Sequence, residues 1–422
     1  MRCGAYIHIP FCSQKCDYCG FHSVTRWSPE SQRAIVDKII HDASSFAAPG
    51  REPDSSDNGS DHKRARALPE VDLSTLYVGG GTPSILARGL LEHLVDGVVE
   101  VLGTPAEFTC EANPESADSG FLEEAARAGV TRLSLGVQSL SKAECRTIGR
   151  RPTSIPELER IRRKWHGALS ADLIVGIPGQ TTGGLVGSLR SLSAIGFSHI
   201  SVYDLALEPG TPLARRMDRT GTFPVDTPNW QAVCRTLADL GYERYEVSNF
   251  ARPGGEAVHN CAYWHSEPYL GLGPAAVSTL PVGGQVIRFE QSSDHEAYLA
   301  AHPFADADRE ALTARTIVTE MLMLGLRTSA GLDRDGFRRR FGQDPAVLLG
   351  PSVARLCADG LLTLEPDSLK PTGRGMDALN HVLLELLADL DEVWPDNGIC
   401  GQGTGREAAA AALAASHRAT ES

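Results

Sequence analysis

Short apolar runs recur through the first 250 residues, and most are followed by a stretch of helical periodicity. The runs are Ala5–Ile9, Thr75–Val78, Phe108–Cys110, Arg132–Val137, Ala171–Val175, Ile200–Leu205 and Tyr245–Ser248. The helical stretches are Ser31–Phe46, Gly89–Leu102, Ser119–Ala128, Ile155–Trp165 and Thr182–Ile195. Strands that alternate with helices pair in parallel, because each crossover must carry the chain back before the next strand begins. The expected fold class is therefore α/β. In such folds the chemistry gathers where strands end at their carboxyl edge.

The residues after each run match that rule. The first run leads to Pro10-Phe11-Cys12 and the second to Gly79-Gly80-Gly81-Thr82-Pro83. The third leads to Glu111-Ala112-Asn113-Pro114, the fourth to Gln138-Ser139, and the fifth to Gly176-Ile177-Pro178-Gly179-Gln180. Turn chemistry alone explains the glycines and prolines. It does not ask for Cys, Glu and Gln at the same edge.

At the first of these edges stands Cys12-Ser13-Gln14-Lys15-Cys16-Asp17-Tyr18-Cys19. Three thiolates within eight residues suit one loop wrapped around zinc or an iron–sulfur cluster. A structural zinc site wants four ligands, and His22 keeps a three-Cys-one-His zinc site open as an alternative. Three thiolates can instead hold three irons of a 4Fe–4S cluster and leave the fourth iron for an external ligand. The other seven of the ten cysteines are scattered. In a chain of 422 residues they read as reduced thiols rather than a disulfide framework.

A net charge of −13 speaks against non-specific nucleic-acid binding, which needs a basic footprint. No apolar run reaches bilayer length, so any membrane contact is expected to be peripheral. The first ten residues hold no secretory apolar region, and a cytoplasmic protein is expected. Pro49–Pro69 is polar and charged and reads as a flexible insertion. From about Asp308 the pattern turns helical, with a short hairpin at 360–372, as in a winged helix. The expected division is a first domain over 1–300, a mainly helical domain over 301–394, and a disordered tail over 395–422.

The Cys-x3-Cys-x2-Cys loop with an aromatic before its last cysteine resembles that of radical S-adenosylmethionine (SAM) proteins. Joined to Tyr6-Ile7-His8-Ile9-Pro10-Phe11, it is similar to the oxygen-independent coproporphyrinogen-III oxidase family in particular. The resemblance spans about residues 5 to 390. It implies a partial (β/α)6 radical SAM barrel followed by a small helical domain. It implies a 4Fe–4S cluster on Cys12, Cys16 and Cys19, with SAM on the open iron. In the family, electron transfer from the reduced cluster yields a 5′-deoxyadenosyl radical.

By the same resemblance Gly80, Gly81 and Thr82 approach the methionyl end of SAM, where glycine lets backbone donors come close. Arg150 matches the carboxylate-binding arginine. Glu111, Gln138 and Asp172 match positions that hold the amino group or the ribose hydroxyls. Tyr6, Tyr18 and Ala206 match packing or backbone contacts.

Three features place the sequence on the HemW-type heme-chaperone branch rather than with the oxidases. The oxidases carry another cysteine two residues after the third ligand, where this chain has Phe21. They also carry a long arm before the cluster, whereas eleven residues precede Cys12. Finally, His259-Asn260-Cys261-Ala262-Tyr263-Trp264 matches the branch's His-Asn-x-x-Tyr-Trp motif. A neutral imidazole is a common axial ligand of heme iron, and Tyr and Trp offer flat faces to a macrocycle. His259, Tyr263 and Trp264 are thus the expected heme contacts.

One segment departs from the branch. Its usual Gly-Ala-His is replaced by Ala275-Ala276-Val277, and valine cannot ligate iron. The implied partners are heme, a heme-acceptor protein, and a reductant such as a flavodoxin or ferredoxin. The alternative function is oxidative decarboxylation of coproporphyrinogen III.

Overall fold

The computed structural model describes residues 1–46, 68–220, 230–302, 304 and 307–393. Residues 49–67 of the expected insertion and the expected 395–422 tail lie outside these described residues.

The strand–helix alternation appears as β1 (Arg2–Ile9), α1 (Pro29–Ser44), β2 (Asp72–Gly80), α2 (Leu90–Leu102), β3 (Glu107–Ala112), α3 (Ser119–Arg127) and β4 (Arg132–Gln138). It continues through α4 (Lys142–Thr147), α5 (Ile155–Lys164), β5 (Ala168–Val175), α6 (Thr182–Ile195) and β6 (His199–Asp204). Neighbours from β1 to β6 pair in parallel. Local chemistry sets the helix starts. Ser28 and Ser31 close a capping box ahead of α1, with Pro29 at its first turn, and Asp118 caps α3 through the Phe121 amide. In α2, Leu90, Leu91, Leu94, Val95 and Val98 fall on one buried face.

The seventh expected strand does not form. Tyr245–Ser248 is the turn between two short strands, β7 (Glu243–Arg244) and β8 (Asn249–Ala251), which follow α7 (Pro212–Thr220) and α8 (Trp230–Asp239). β8 pairs antiparallel with β6, so the parallel run ends there. The chain then crosses through α9 (Val258–Trp264) to the other side of the sheet. There β9 (Tyr269–Leu272) lies parallel to β1, and β10 (Val277–Val282), β11 (Gln285–Glu290), α10 (His295–Ala300) and β12 (Asp308–Ala311) extend it. The strand order is β12-β11-β10-β9-β1-β2-β3-β4-β5-β6-β8-β7, an open, partial barrel.

The strands alternate strictly across the barrel wall. In β4, Leu133, Leu135 and Val137 join the apolar core beneath the helices, while Arg132, Ser134, Gly136 and Gln138 face the interior. β5 does the same with Leu169, Ala171 and Leu173 against Ser170 and Asp172. β6 sets Ile200 and Val202 against His199, Ser201 and Tyr203. Successive side chains of a strand point to opposite faces, so one face builds the core and the other a polar chamber.

Beyond β12 a second core runs from Leu312 to Leu390. It is built by α11 (Ala314–Gly325), β13 (Leu332–Asp333), α12 (Arg334–Phe341), α13 (Pro345–Leu348), α14 (Gly350–Ala358), β14 (Leu362–Leu364), β15 (Ser368–Pro371), α15 (Gly373–Asp377) and α16 (Leu379–Val393). A small sheet, β13-β15-β14, backs these helices. Among the described residues no helix is long and apolar enough to cross a membrane.

Candidate functional site

The cysteine loop leaves β1 and is held from three sides. Cys12 N–H donates to Val24 O at 3.0 Å, and Trp27 Nε1 donates to Cys12 O at 3.0 Å. Asp17 N–H donates to Ile148 O at 3.1 Å, and Asp17 O accepts from Leu213 N–H at 2.8 Å. The Asp17 carboxylate pairs with Arg216 at 2.6 Å, and the same guanidinium donates to Thr147 O at 2.8 Å. These contacts anchor the loop between Cys12 and Cys19 to the barrel.

Cys12, Cys16 and Cys19 are unbridged, half-buried, and all on the wall of one cavity of about 640 Å³. Thr82 Oγ1 lies 3.6 Å from Cys12 Sγ, and Arg150 donates to Cys16 Sγ at 3.4 Å. Hydroxyl and guanidinium donors aimed at sulfur are what a thiolate wants. Burial pushes the Cys19 thiol up, and the neighbouring Cys16 and Cys12 push it further. A cation held by all three sulfurs would remove that penalty. His22, the fourth ligand of the zinc alternative, is not on this wall. The donor set fits a three-thiolate cluster.

Tyr18, Gly80, Gly81, Thr82, Glu111, Gln138, Arg150, Asp172 and Ala206 all line the cavity. Tyr6 does not; it sits one layer back, where its hydroxyl meets His8 Nδ1 at 3.0 Å. The glycines act differently from the sequence expectation. Gly80 N–H donates to Glu111 Oε2, Gly81 N–H to Ile9 O at 2.7 Å, and Thr82 N–H to Phe11 O at 2.7 Å. These backbone donors are already engaged inside the protein. Glycine is needed here for close approach, since a Cβ on Gly81 would stand 2.5 Å from Phe11 O.

Arg150 brings a cation to the wall beside the cysteines. It bonds Asn113 Oδ1 and Gly136 O, while its Nε has no hydrogen-bond partner. Among the described residues no carboxylate forms an ion pair with it, so an anionic group is the partner it lacks. Opposite in character is Glu111, which accepts from Tyr77 Oη at 2.7 Å and Gly80 N–H at 3.1 Å. Burial raises its carboxyl to about 7, against these two bonds and with help from the Asp172 charge. Asp172 is also raised by burial, and it accepts from Ser134 Oγ at 3.2 Å. Buried carboxyls without a cation favour a cationic guest. The chamber thus offers a guanidinium at one place and two carboxyls at others, a pattern suited to a zwitterionic, positively charged ligand.

The motif helix α9 packs against β2 and β3. His259 is only 2% exposed and does not line the cavity. Its Nδ1 meets Thr75 Oγ1 at 2.8 Å and its Nε2 meets Tyr263 Oη at 3.1 Å, while its backbone N–H donates to Glu107 Oε1 at 3.0 Å. Burial alone takes its pKa down to about 3. The ring is neutral, and each nitrogen has a hydroxyl partner, so its lone pair is engaged in a hydrogen bond in either tautomer. Tyr263 packs edge-on against His259 and Tyr269. Trp264 lies under the Arg327 guanidinium at 4.8 Å. In the structure these side chains tie α9 to β2, β9 and the turn after α11. The motif's contribution to the cavity wall is Asn260. Val277 likewise starts β10 and lies off the wall.

Sequence reasoning missed the deep end of the chamber. Thr109, Arg132, Ser134, Ser170, His199 and Ser201 all face it. Their signal was a polar residue at every second position within β3 to β6, legible only once the apolar partners are recognised as the outer face.

Comparison with known proteins agrees with this geometry. The Radical SAM superfamily pattern matches residues 6–192, and the HemN C-terminal domain pattern matches residues 312–377. The chain is 31% identical to the protein named heme chaperone HemW of Lactococcus lactis, over 91% of this chain and 97% of that protein. It is 30% identical to the mitochondrial radical S-adenosyl methionine domain-containing protein 1 of Bos taurus, over 93% of this chain and 89% of that protein. Among solved structures, coproporphyrinogen III oxidase (HemN) of Escherichia coli superposes with a TM-score of 0.71 at 21% identity, covering 91% and 90% of the two chains. That likeness is one of fold.

Proposed function

Because the chain belongs to the HemW family of radical SAM proteins, we propose that it is a heme chaperone, which binds heme beside a SAM-ligated 4Fe–4S cluster and passes it to an acceptor protein. The observation that carries this reading is the meeting of Cys12, Cys16 and Cys19 with Arg150, Glu111 and Asp172 on one cavity wall.

Cys12, Cys16 and Cys19 would hold three irons of the cluster, and when bound it supplies the electron for reductive cleavage of the SAM sulfonium bond. Arg150 would receive the SAM carboxylate. Glu111, Gln138 and Asp172 would take the amino group and the ribose hydroxyls, and the ionised carboxylates of Glu111 and Asp172 would offset the sulfonium charge. Tyr18 and Ala206 pack against the ligand, Gly80, Gly81 and Thr82 shape the wall next to Cys12, and Tyr6 supports that wall through His8. Residues 1–300 would form the barrel unit and 301–394 the appended one. A one-electron donor of the flavodoxin or ferredoxin type would reduce the cluster. Unbridged thiols suit a reducing compartment such as the cytoplasm.

The test is a hemin titration of the anaerobically reconstituted protein, read in the Soret band, alongside an assay with coproporphyrinogen III. Saturable one-to-one binding without decarboxylation is the expected result. Turnover of coproporphyrinogen III at two SAM per substrate, without heme binding, would replace the chaperone reading with the oxidase one.

A further inference from the structure

The chain is acidic, with a net charge of −13, but the ground around the cysteine loop is not. The segments 12–27, 140–151 and 212–219 hold nine Lys and Arg against three Asp and Glu. The fold brings these segments together. Asp17 N–H donates to Ile148 O at 3.1 Å, Gln14 donates to Gly149 O at 3.4 Å, and Arg216 joins Asp17 to Thr147 O. Two of the three acids are engaged within the fold: Asp17 with Arg216, and buried Glu144 with Ser139 and Gln180. Glu208, which packs on Gly20, and Glu30 flank this collar and leave it positive.

Seven of the cations are exposed. Lys15 and Arg26 stand on and after the loop, Lys142, Arg146 and Arg151 on and after α4, and Arg215 and Arg219 on α7. The ion pair on these segments is that of Arg216 with Asp17, and among the described residues none of the seven has a carboxylate partner. In physiological salt a surface charge is felt over about 8 Å, so an approaching molecule meets the collar rather than the net charge of the chain. Beside Arg26, Trp27 is 37% exposed, and its Nε1 donates to Cys12 O at 3.0 Å. One hydrogen bond thus links a surface ring to the backbone of a cluster ligand. Phe21 is 71% exposed, and Lys15 Nζ donates to its carbonyl at 3.2 Å. Exposed rings among unpaired cations suit an acidic partner that carries a flat apolar edge of its own.

We propose that this collar is the docking surface for an acidic one-electron carrier, a flavoprotein of the flavodoxin class, and that Trp27 is the carrier's contact with the cysteine loop. A flavin presents an apolar ring edge, which Trp27 and Phe21 suit better than a cluster wrapped in backbone. The inference rests on the reading of Cys12, Cys16 and Cys19 as cluster ligands. In the step it serves, the reduced flavin loses one electron and the cluster gains it, passing from 2+ to 1+, and no bond breaks.

The test uses the full-length reconstituted protein and a purified bacterial flavodoxin. Iron and labile sulfide are measured first. Calorimetry then reads binding, and stopped-flow absorbance reads cluster reduction, with dithionite as a reductant that needs no docking. Wild-type affinity should fall as salt rises. Lys142→Glu, Arg146→Glu and Arg219→Glu together should cost roughly ten-fold in affinity and flatten that salt dependence, with iron content and the dithionite rate unchanged. Trp27→Phe keeps a ring but removes the bond to Cys12, so reduction by saturating flavodoxin should slow several-fold while the dithionite rate holds. Wild-type affinity in the triple variant overturns the docking surface, and an unchanged flavodoxin rate in Trp27→Phe overturns the contact. Binding of phosphatidylglycerol vesicles without binding of flavodoxin assigns the collar to a membrane and overturns the proposal, as does binding of a ferredoxin in its place. Should the triple variant lose its cluster, Lys142→Gln with Arg219→Gln decides by the same readouts. If the wild type holds no iron and sulfide, the cluster reading fails before any carrier is added, and this one fails with it.

Discussion

Glu111 has a carboxyl whose burial raises its pKa from the ordinary 4.5 to about 7. The unfolded chain gives up this proton near 4.5, while the folded protein keeps it to about 7. The ionisation penalty is therefore absent below pH 4.5, grows between the two values, and is complete above 7. Glu111→Gln should flatten that slope, so the ligand-free variant gains thermal stability relative to the wild type at pH 8 but not at pH 4. SAM binding should run the other way. A cationic ligand prefers the ionised carboxyl, so affinity should rise from pH 6 to pH 8 in the wild type and stay flat in Glu111→Gln, by calorimetry on the reconstituted protein. A second residue records the departure noted in the sequence. Ala275 has φ +59°, the left-handed region that L side chains adopt at a cost. Ala275→Gly removes that strain but loosens the unfolded chain, and a net gain of about 0.5–1 kcal/mol in urea unfolding is expected.

Among the elements, the cysteine loop depends on a clamp that its motif does not reveal. Asp17 is bonded to Ile148 O and Leu213 N–H by its backbone and to Arg216 by its carboxylate. A Cβ on Gly149 would stand 2.5 Å from Asp17 Cγ, so the packing there is close. Asp17→Asn keeps the shape and removes the charge; Arg216→Ala removes the clamp. Both should lower iron and labile sulfide per chain after reconstitution and broaden the EPR signal of the reduced cluster, Arg216→Ala more than Asp17→Asn. Equal iron content and unchanged spectra in both variants would show that the loop needs no clamp. The motif helix α9 gives the opposite lesson. Its spacing is clear in the sequence, but the partners of His259 are not: Thr75 and Tyr263 hold the two ring nitrogens.

At the scale of the molecule, the two cores meet at several contacts, and one of them is buried. Glu246 is 1% exposed, accepts from Ser248 N–H at 2.7 Å and meets Arg327 at 3.3 Å, and that same guanidinium covers Trp264 at 4.8 Å. α9, the barrel edge and α11 meet at this joint. Arg327→Ala would leave a buried carboxylate without its cation and uncover the Trp264 ring. A loss of about 2 kcal/mol is expected, seen as a lower midpoint of thermal unfolding with the iron content of the cluster unchanged.

The α/β class, the parallel order of β1 to β6, the helix starts and the cysteine loop were all legible in the sequence. Each is written in local spacing: the period of apolar residues, a cap beside its helix, three thiols within eight positions. The resemblance brought Arg150, Glu111, Gln138 and Asp172 to one wall, and the structure places them there. What local spacing does not carry was settled by long-range contact. β9 joins parallel to β1 on its far side and β10 to β12 follow antiparallel, a completion of the sheet that the run at Tyr245–Ser248 does not supply. The polar layers of β4 to β6 became an interior only when helices covered the other face. Who occupies the nitrogens of a histidine is decided the same way. For His259 that is Thr75, 184 positions away, and for His22 it is His295, 273 positions away. Burial and hydrogen-bond saturation are properties of the packed chain, and only the tertiary structure decides them.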